Sequence, residues 1–531
     1  MKKRKWLAVL TLSAMLVAAG CSPNANQQKP AEGQKQPDQQ QAQSPVGKAI
    51  TIAYSEGGTT MDPAMASDLT SDTLIVSTYD QLVQFGTKNV DGTDIADTEV
   101  VKPMLAKEWK ISDDKLTYTF TLRDDVKFHS GNPVNAEAVV FSMDHLKNGQ
   151  SSIFKLSGIE TVTAKDATTV ELKLRKPNPL LLQYLAQYNF SIIDPSVIKE
   201  KGDDYLKNNA AGSGPFKLEK WDPASEAILV ANTDYWQGAP KVEKVTMKFT
   251  KEASSRVLLL GKGDVDLAIE IPAKDVDSLK QNENVQVHSN PSNRILYFAM
   301  NNKVKPFDDA RVRQAIAYAI PYDKLINDVM YGQAKQLKSA VPSNTPGSTD
   351  AGFVYKNDLE KAKQLLKEAG YENGFSFDFT LGSGFQDWED DAVLIQAELE
   401  KIGVKMDIKK VARAQFLQMQ KEKNLTSFMS KWTSFVNDPG YHLGFLLYGK
   451  GSSNYINYQN AKVDELWEKA DVESDPVKRY EMYKEAQEII TSEAPWAYLY
   501  EYNRVVGVNK NLKGYSFYPD EIIRFYPLSK E

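Results

Sequence analysis

The chain has 531 residues and a formal charge of −6, and residues 1–20 carry four positive charges and no negative one, so their removal leaves −10. No basic stripe with interleaved aromatics accompanies this acidity, which excludes a general polyanion or nucleic-acid binder. One cysteine, Cys21, excludes an intramolecular disulfide and a thiolate zinc site, and roughly 480 residues beyond position 48 are enough to build a core by packing alone.

The first element is a leader. Lys2, Lys3, Arg4 and Lys5 are basic, Trp6–Ala19 is apolar for about 14 residues, and small residues follow, which is the order of a secretory signal peptide over 1–20. A spanning helix needs roughly 20 apolar residues, so no permanent transmembrane segment is expected. Leu16-Val17-Ala18-Ala19-Gly20-Cys21 follows the bacterial lipobox pattern. Cys21 is therefore expected to become a lipidated N-terminus, at the outer face of a bacterial cytoplasmic membrane. With its thiol acylated, it is no nucleophile. Residues 21–48 are rich in Gln and Pro and nearly devoid of bulky apolar side chains, so they read as a disordered tether. As a coil, 27 residues span roughly 30 Å r.m.s..

The globular part opens with a strand, Ala49–Tyr54, and a loop, Ser55-Glu56-Gly57-Gly58. A helix is predicted over Ser71–Leu82. Leu116–Arg123 alternates apolar and polar residues as a half-buried strand, and Asn135 N-caps a helix whose buried face is Val139, Val140 and Met143. Beyond residue 300, helices and strands alternate: a helix over Arg311–Ile320, a capping box at Asn357–Glu360, a strand from Phe375 to Leu381, a helix over Asp390–Ile402 and a strand over Val404–Val411. Helices near Lys462–Ala470 and Pro476–Ser492 precede a strand around Trp496–Arg504. This order predicts an α/β layer.

Chemistry is scarce. There is no G-x-S-x-G, H-E-x-x-H, Walker A loop or dinucleotide fingerprint. The four histidines, His129, His145, His288 and His442, stand singly. Seventy acids leave paired-carboxylate hydrolysis open, but no motif argues for it. No catalytic residue, cofactor or metal site is expected.

Several stretches carry a resemblance. Leu105–Pro133, with Trp109, Thr117-Tyr118-Thr119-Phe120, Leu122-Arg123 and Gly131, is followed by Ala136-Glu137-Ala138-Val139-Val140-Phe141. Gly212-Ser213-Gly214-Pro215-Phe216, Asn232–Trp236 and Pro306–Ile316 come later. In this order they resemble the extracellular solute-binding proteins of family 5, the peptide, dipeptide and nickel receptors of ABC importers, across 49–531. The Gly-x-Gly-Pro-Phe stretch suits a tight chain reversal. Arg311 and Arg313 are expected to pair with acids.

The resemblance implies a two-lobed α/β fold of the periplasmic-binding-protein type, with a hinged cleft. Lobe I would be 49–302 plus 503–531, with an extra subdomain at about 90–210, and lobe II 303–502. It implies a monomer that binds a small solute, foremost an oligopeptide, and hands it to permease and ATPase subunits. The candidate ligand residues are Ser55, Glu56, Gly57, Trp388, Trp432, Thr433, Phe435 and Asp438. The dipeptide branch places an aspartate for the peptide amine where this chain has Phe435, and an arginine for the carboxylate near Gly382, where Leu381–Phe385 has none. A zwitterionic dipeptide held at both ends is therefore disfavoured. A longer peptide, a sugar stacked on Trp388, Trp432, Phe435, Tyr441 or Tyr448, and a cationic or metal-chelate solute held by Asp387, Glu389, Asp390 or Asp391, with His442 near the Trp432 loop, remain open. Further classes are a secreted hydrolase and a chemoreceptor or adhesion lipoprotein.

Overall fold

Ile50, Ile52 and Tyr54 on one face and Ala53 on the other are buried, and their strand, Ala49–Tyr54, pairs in parallel with both Lys244–Phe249 and Leu267–Ile269. A strand buried on both faces must sit inside a sheet, and this one lies in an eleven-stranded sheet. In the computed structural model, which describes residues 49–90, 92–149, 151–434 and 436–531, that sheet is the spine of the molecule. The leader, Cys21 and the tether lie outside the described residues, as does Phe435.

Two long antiparallel strands, Val285–Met300 and Trp496–Asn509, cross the sheet from one half to the other. Over Val285–Pro291 the first pairs with Asn503–Asn509, and the second also joins Leu267–Ile269. Beyond a register break between Pro291 and Ile295, the first strand also pairs with Ser427–Thr433, which leads to Phe375–Gly382 and Val404–Val411. The molecule therefore has two lobes joined by two strands, with helices on the sheet, as the sequence implied.

Each part has its own core. Phe298 and Phe379 stack at 4.7 Å inside the half that holds residues 295–500. Tyr118, Phe120 and Leu122 alternate inward along Thr117–Leu122, pack with Val139 and Met143, and form the core of a smaller four-stranded unit. Each such side chain contributes roughly 1.5–3 kcal/mol on burial.

The capped helices form where expected. Asn135 accepts from Ala138 N at 3.0 Å, Asp309 from Arg311 N at 2.8 Å and Asp358 from Lys361 N at 3.0 Å. The helix expected at Asp390 begins at Gln386, without a side-chain cap. Its first turn therefore includes Asp387 and Glu389, where acids suit the helix dipole. The Gly-x-Gly-Pro-Phe segment is no tight reversal. A Cβ on Gly212 would lie 2.1 Å from Thr78 O, and one on Gly214 2.6 Å from the Thr78 carbonyl carbon. Both glycines serve close backbone approach. Ser213 between them donates to Asp80 Oδ2 at 2.8 Å. Arg311 does pair with Asp309, at 2.6 Å, but Arg313 is buried and spends its guanidinium on the carbonyls of Phe307, Glu493 and Ala494.

Candidate functional site

A cavity of about 480 Å³ lies where the two crossing strands change register. Glu270, Ile271 and Arg504 line it from one lobe, and Phe385, Asp387 and Lys431 from the other.

The helix Gln386–Glu400 and the strand Trp496–Asn509 set the acids. Residues four apart share a helix face, and residues two apart share a strand face. Tyr502 thus donates to Asp387 Oδ2 at 2.9 Å while Tyr500 donates to Asp391 Oδ2 at 2.7 Å. Trp388 Nε1 donates to the Tyr502 oxygen at 3.2 Å. Burial pushes the Asp387 carboxyl above its usual range, against the Tyr502 hydrogen bond. Burial lifts Asp391 much further, and its Oδ1 has no hydrogen-bond partner among the described residues. Asp391 lies buried behind Asp387, and Asp387 is the acid that faces the cavity.

The cations are less satisfied. Lys431 Nζ lies 4.5 Å from the Phe385 ring centroid and makes no ion pair or hydrogen bond among the described residues. Burial first, then the nearby Arg294 charge, pulls this ammonium down to about 8. Arg413 sits over the same ring at 5.0 Å and over Trp388 at 5.7 Å, and its buried Nη1 has no acceptor among the described residues. Arg294 Nη2 meets Glu521 Oε2 at 2.6 Å, and Arg504 Nη1 reaches that oxygen at 3.6 Å. The Nε atoms of both arginines, and Nη2 of Arg504, are buried without partners among the described residues. An unmet buried donor costs about 1–3 kcal/mol.

Across the cavity, burial raises Glu270, but Arg504, a Ser55 hydrogen bond and Arg256 outweigh it and hold the carboxyl below its usual range. Glu270 and Glu521 both have left-handed backbone, at φ 53° and 63°. Such strain costs about 1–3 kcal/mol per residue and gathers at functional sites. Three cations (Arg294, Lys431, Arg504) and two carboxylates (Glu270, Asp387) thus line one cavity, together with no Ser, Thr, Cys or His. The arrangement can hold a solute that carries both charges. Among the described residues of the cavity wall the hydroxyl is that of Tyr502, which donates to Asp387 Oδ2.

The expected residues fall unevenly around it. Trp388 lines the cavity, and Ser55 reaches it through Glu270. Glu56 and Gly57 are held elsewhere. The Glu56 carbonyl accepts from Thr70 at 2.8 Å, and Gly57 O accepts from Trp221 Nε1 at 2.7 Å. A Cβ on Gly57 would lie 1.8 Å from Pro223 O. Trp432 follows Lys431 but packs on Tyr441 and Phe445, at 6.0 and 5.4 Å, and Thr433 is in register with Arg294. Asp438 is buried, caps the helix Pro439–Leu446 through Gly440 N at 2.8 Å and pairs with Arg479. Glu389 pairs with Lys410 at 2.6 Å, and Asp390 accepts from Gln386 at 2.9 Å. Lys431, Arg294, Arg413, Arg504 and Glu270 were not anticipated. A lone lysine inside the strand Ser427–Thr433 was the one visible signal.

Residues 100–454, two thirds of the chain, match the family model of the bacterial extracellular solute-binding proteins, family 5 Middle. The chain belongs to this family. As a family-5 protein it is 32% identical to the probable D,D-dipeptide-binding periplasmic protein DdpA of Escherichia coli (strain K12), over 91% of this chain and 94% of that one. It is 30% identical to the glutathione-binding protein GsiB of the same strain, over 90% and 93%. The solved structure of HbpA2 from Haemophilus parasuis superposes with a TM-score of 0.81 at 26% identity, over 91% of this chain and all of that one. The periplasmic binding protein DppA from Helicobacter pylori, in complex with the peptide STSA, gives 0.77 at 29% identity, over 91% and 98%. DdpA, GsiB and the Helicobacter pylori DppA are named as binding proteins, and no helix among the described residues is long and apolar enough to cross a membrane.

Proposed function

We propose that this protein is the solute receptor of an ABC importer, anchored by lipid at Cys21, that captures peptides by closing its lobes on them and performs no chemical step. The observation that carries this reading is the unpaired Lys431 ammonium facing a cavity that also holds Asp387. A peptide carboxylate meets Lys431 and the unmet guanidinium donors around it, and the α-amine meets Asp387. The two charges thus come from positions other than 435 and 382, which supports short peptides with free ends beside longer ones. A side chain at Gly382 would press on Phe416, since a Cβ there would lie 3.0 Å from that ring.

A solute in this cavity touches Glu270 and Arg504 of one lobe and Asp387 and Lys431 of the other. Only a solute with such two-sided contact favours the closed form over the open one. We place the hinge at the register break, Pro291–Ile295, and at Glu501–Asn503 opposite. The lipid anchor and tether keep the receptor near its permease, where effective concentration is high.

A sugar is less well served, because Trp388 is 1% exposed and its indole nitrogen is engaged by Tyr502. Calorimetry with tri- and tetrapeptides tests the reading. Saturable binding is expected, about 10- to 150-fold weaker in Lys431→Met, the loss of one charge-assisted hydrogen bond. Equal affinity in that variant, or product formation from the peptide, would overturn it.

A further inference from the structure

Side chains alternate along a strand, so Lys431 and Trp432 leave Ser427–Thr433 on opposite faces. Lys431 lines the cleft. Trp432 backs Tyr441 and Phe445, which line a second cavity of about 280 Å³. One side of this cavity is the segment Lys155–Tyr184 of the small four-stranded unit, and the other is the helix Pro439–Leu446, the turn after it and Trp467. Lys176 pairs with Asp471 across the boundary.

The walls are aromatic. Tyr448 and Trp467 stack at 4.4 Å and Tyr441 and Phe445 lie 4.7 Å apart, while Trp467 Nε1 is tied to Gly440 O at 2.9 Å. Two phenols line the cavity, Tyr184, 5% exposed, and Tyr441, partly buried. Neither hydroxyl is sealed from the cavity space and neither has a hydrogen-bond partner among the described residues, so both can serve a ligand there. Three ammonium groups line the cavity, on Lys155, Lys176 and Lys450, against one carboxylate, Asp471. Lys450 also reaches Glu468 at 3.5 Å, whereas Lys155 has no ion pair among the described residues. The volume stands at the lower end of small-molecule sites, enough for a single ring and too small for a peptide.

We propose that this cavity is a second ligand site, separate from the cleft, for a small aryl carboxylate. The ring lies among Tyr441, Tyr448 and Trp467, its polar substituent meets the Tyr184 and Tyr441 hydroxyls, and its carboxylate faces the lysines.

The test uses the full chain and three probes: benzoate, 4-hydroxybenzoate and, as a neutral hydroxylated control, glucose. Calorimetry should show both acids binding, 4-hydroxybenzoate the tighter, and no heat from glucose. Tyr184→Phe with Tyr441→Phe keeps the ring volume and should weaken 4-hydroxybenzoate about tenfold or more, two hydrogen bonds lost. Peptide affinity at the cleft should stay unchanged in that variant. Binding of the acid should persist in Lys431→Met. A crystal soaked with 4-bromobenzoate should give an anomalous bromine peak beside Trp467. Overturning results are no saturable binding of either acid, glucose binding as tightly as the acids, no loss in the double variant, loss in Lys431→Met, or a bromine peak in the cleft alone.

Discussion

Lys431 is the residue on which the solute reading can be tested by pH. Its ammonium is held down to about 8, mainly by burial, against about 10.4 for a free lysine. A carboxylate needs the charged form. Peptide affinity should therefore be full below pH 8 and fall by about tenfold per unit as pH rises through and above that value. Lys431→Arg stays charged throughout, so comparing its titration with the wild type cancels the titration of the peptide amine. Parallel profiles would refute the role of Lys431. His442 offers a second residue-scale prediction. It is fully buried, neither ring nitrogen has a partner among the described residues, and burial drives it down to about 3. Its folded pKa is below the unfolded value of about 6.5, so the unfolded chain takes up the proton first and stability falls as pH drops below that value. His442→Leu should raise stability by about 1–3 kcal/mol at neutral pH and flatten the fall between pH 6.5 and 3, measured by denaturant melts. Asp438, a candidate for solute contact, is instead paired with Arg479 inside the core. Arg479→Met should cost about 3–5 kcal/mol with little change in peptide affinity. These three residues show where sequence reading stops. Motif spacing led to Asp438 and Trp432, whereas Lys431, Arg413 and Arg504 meet only through folding, from elements up to 91 positions apart.

At the scale of elements, local rules were legible and long pairings were not. Caps at Asn135, Asp309 and Asp358 and the alternating strand at Thr117–Leu122 could be read directly, because each depends on a few adjacent residues. The 16-residue strand Val285–Met300 could not. Val285–Arg294 is mostly polar and is interrupted by Pro291, and Ile295–Met300 is wholly apolar, so no single periodicity runs through it. That change is the mark of a strand that serves two lobes. The Gly212-Ser213-Gly214 segment was read as a turn because glycine permits one. Its actual duty is to lie against the Thr78 backbone. Gly212→Ala should destabilise by about 1–3 kcal/mol, seen as a lowered thermal midpoint, and an unchanged midpoint would contradict the close approach.

For the whole molecule, the central claim is that closure on a peptide is the function. The α/β fold and the family were legible because ordered motifs span the chain, and the solute was not, because the charges of the cleft come from both lobes. Native mass spectrometry of the protein purified from its own host tests the claim most directly, since a cleft that encloses its solute from both sides retains it. The account predicts an added mass that fragments as a peptide with a free C-terminus and is lost in Lys431→Met. A retained sugar or metal chelate would contradict it.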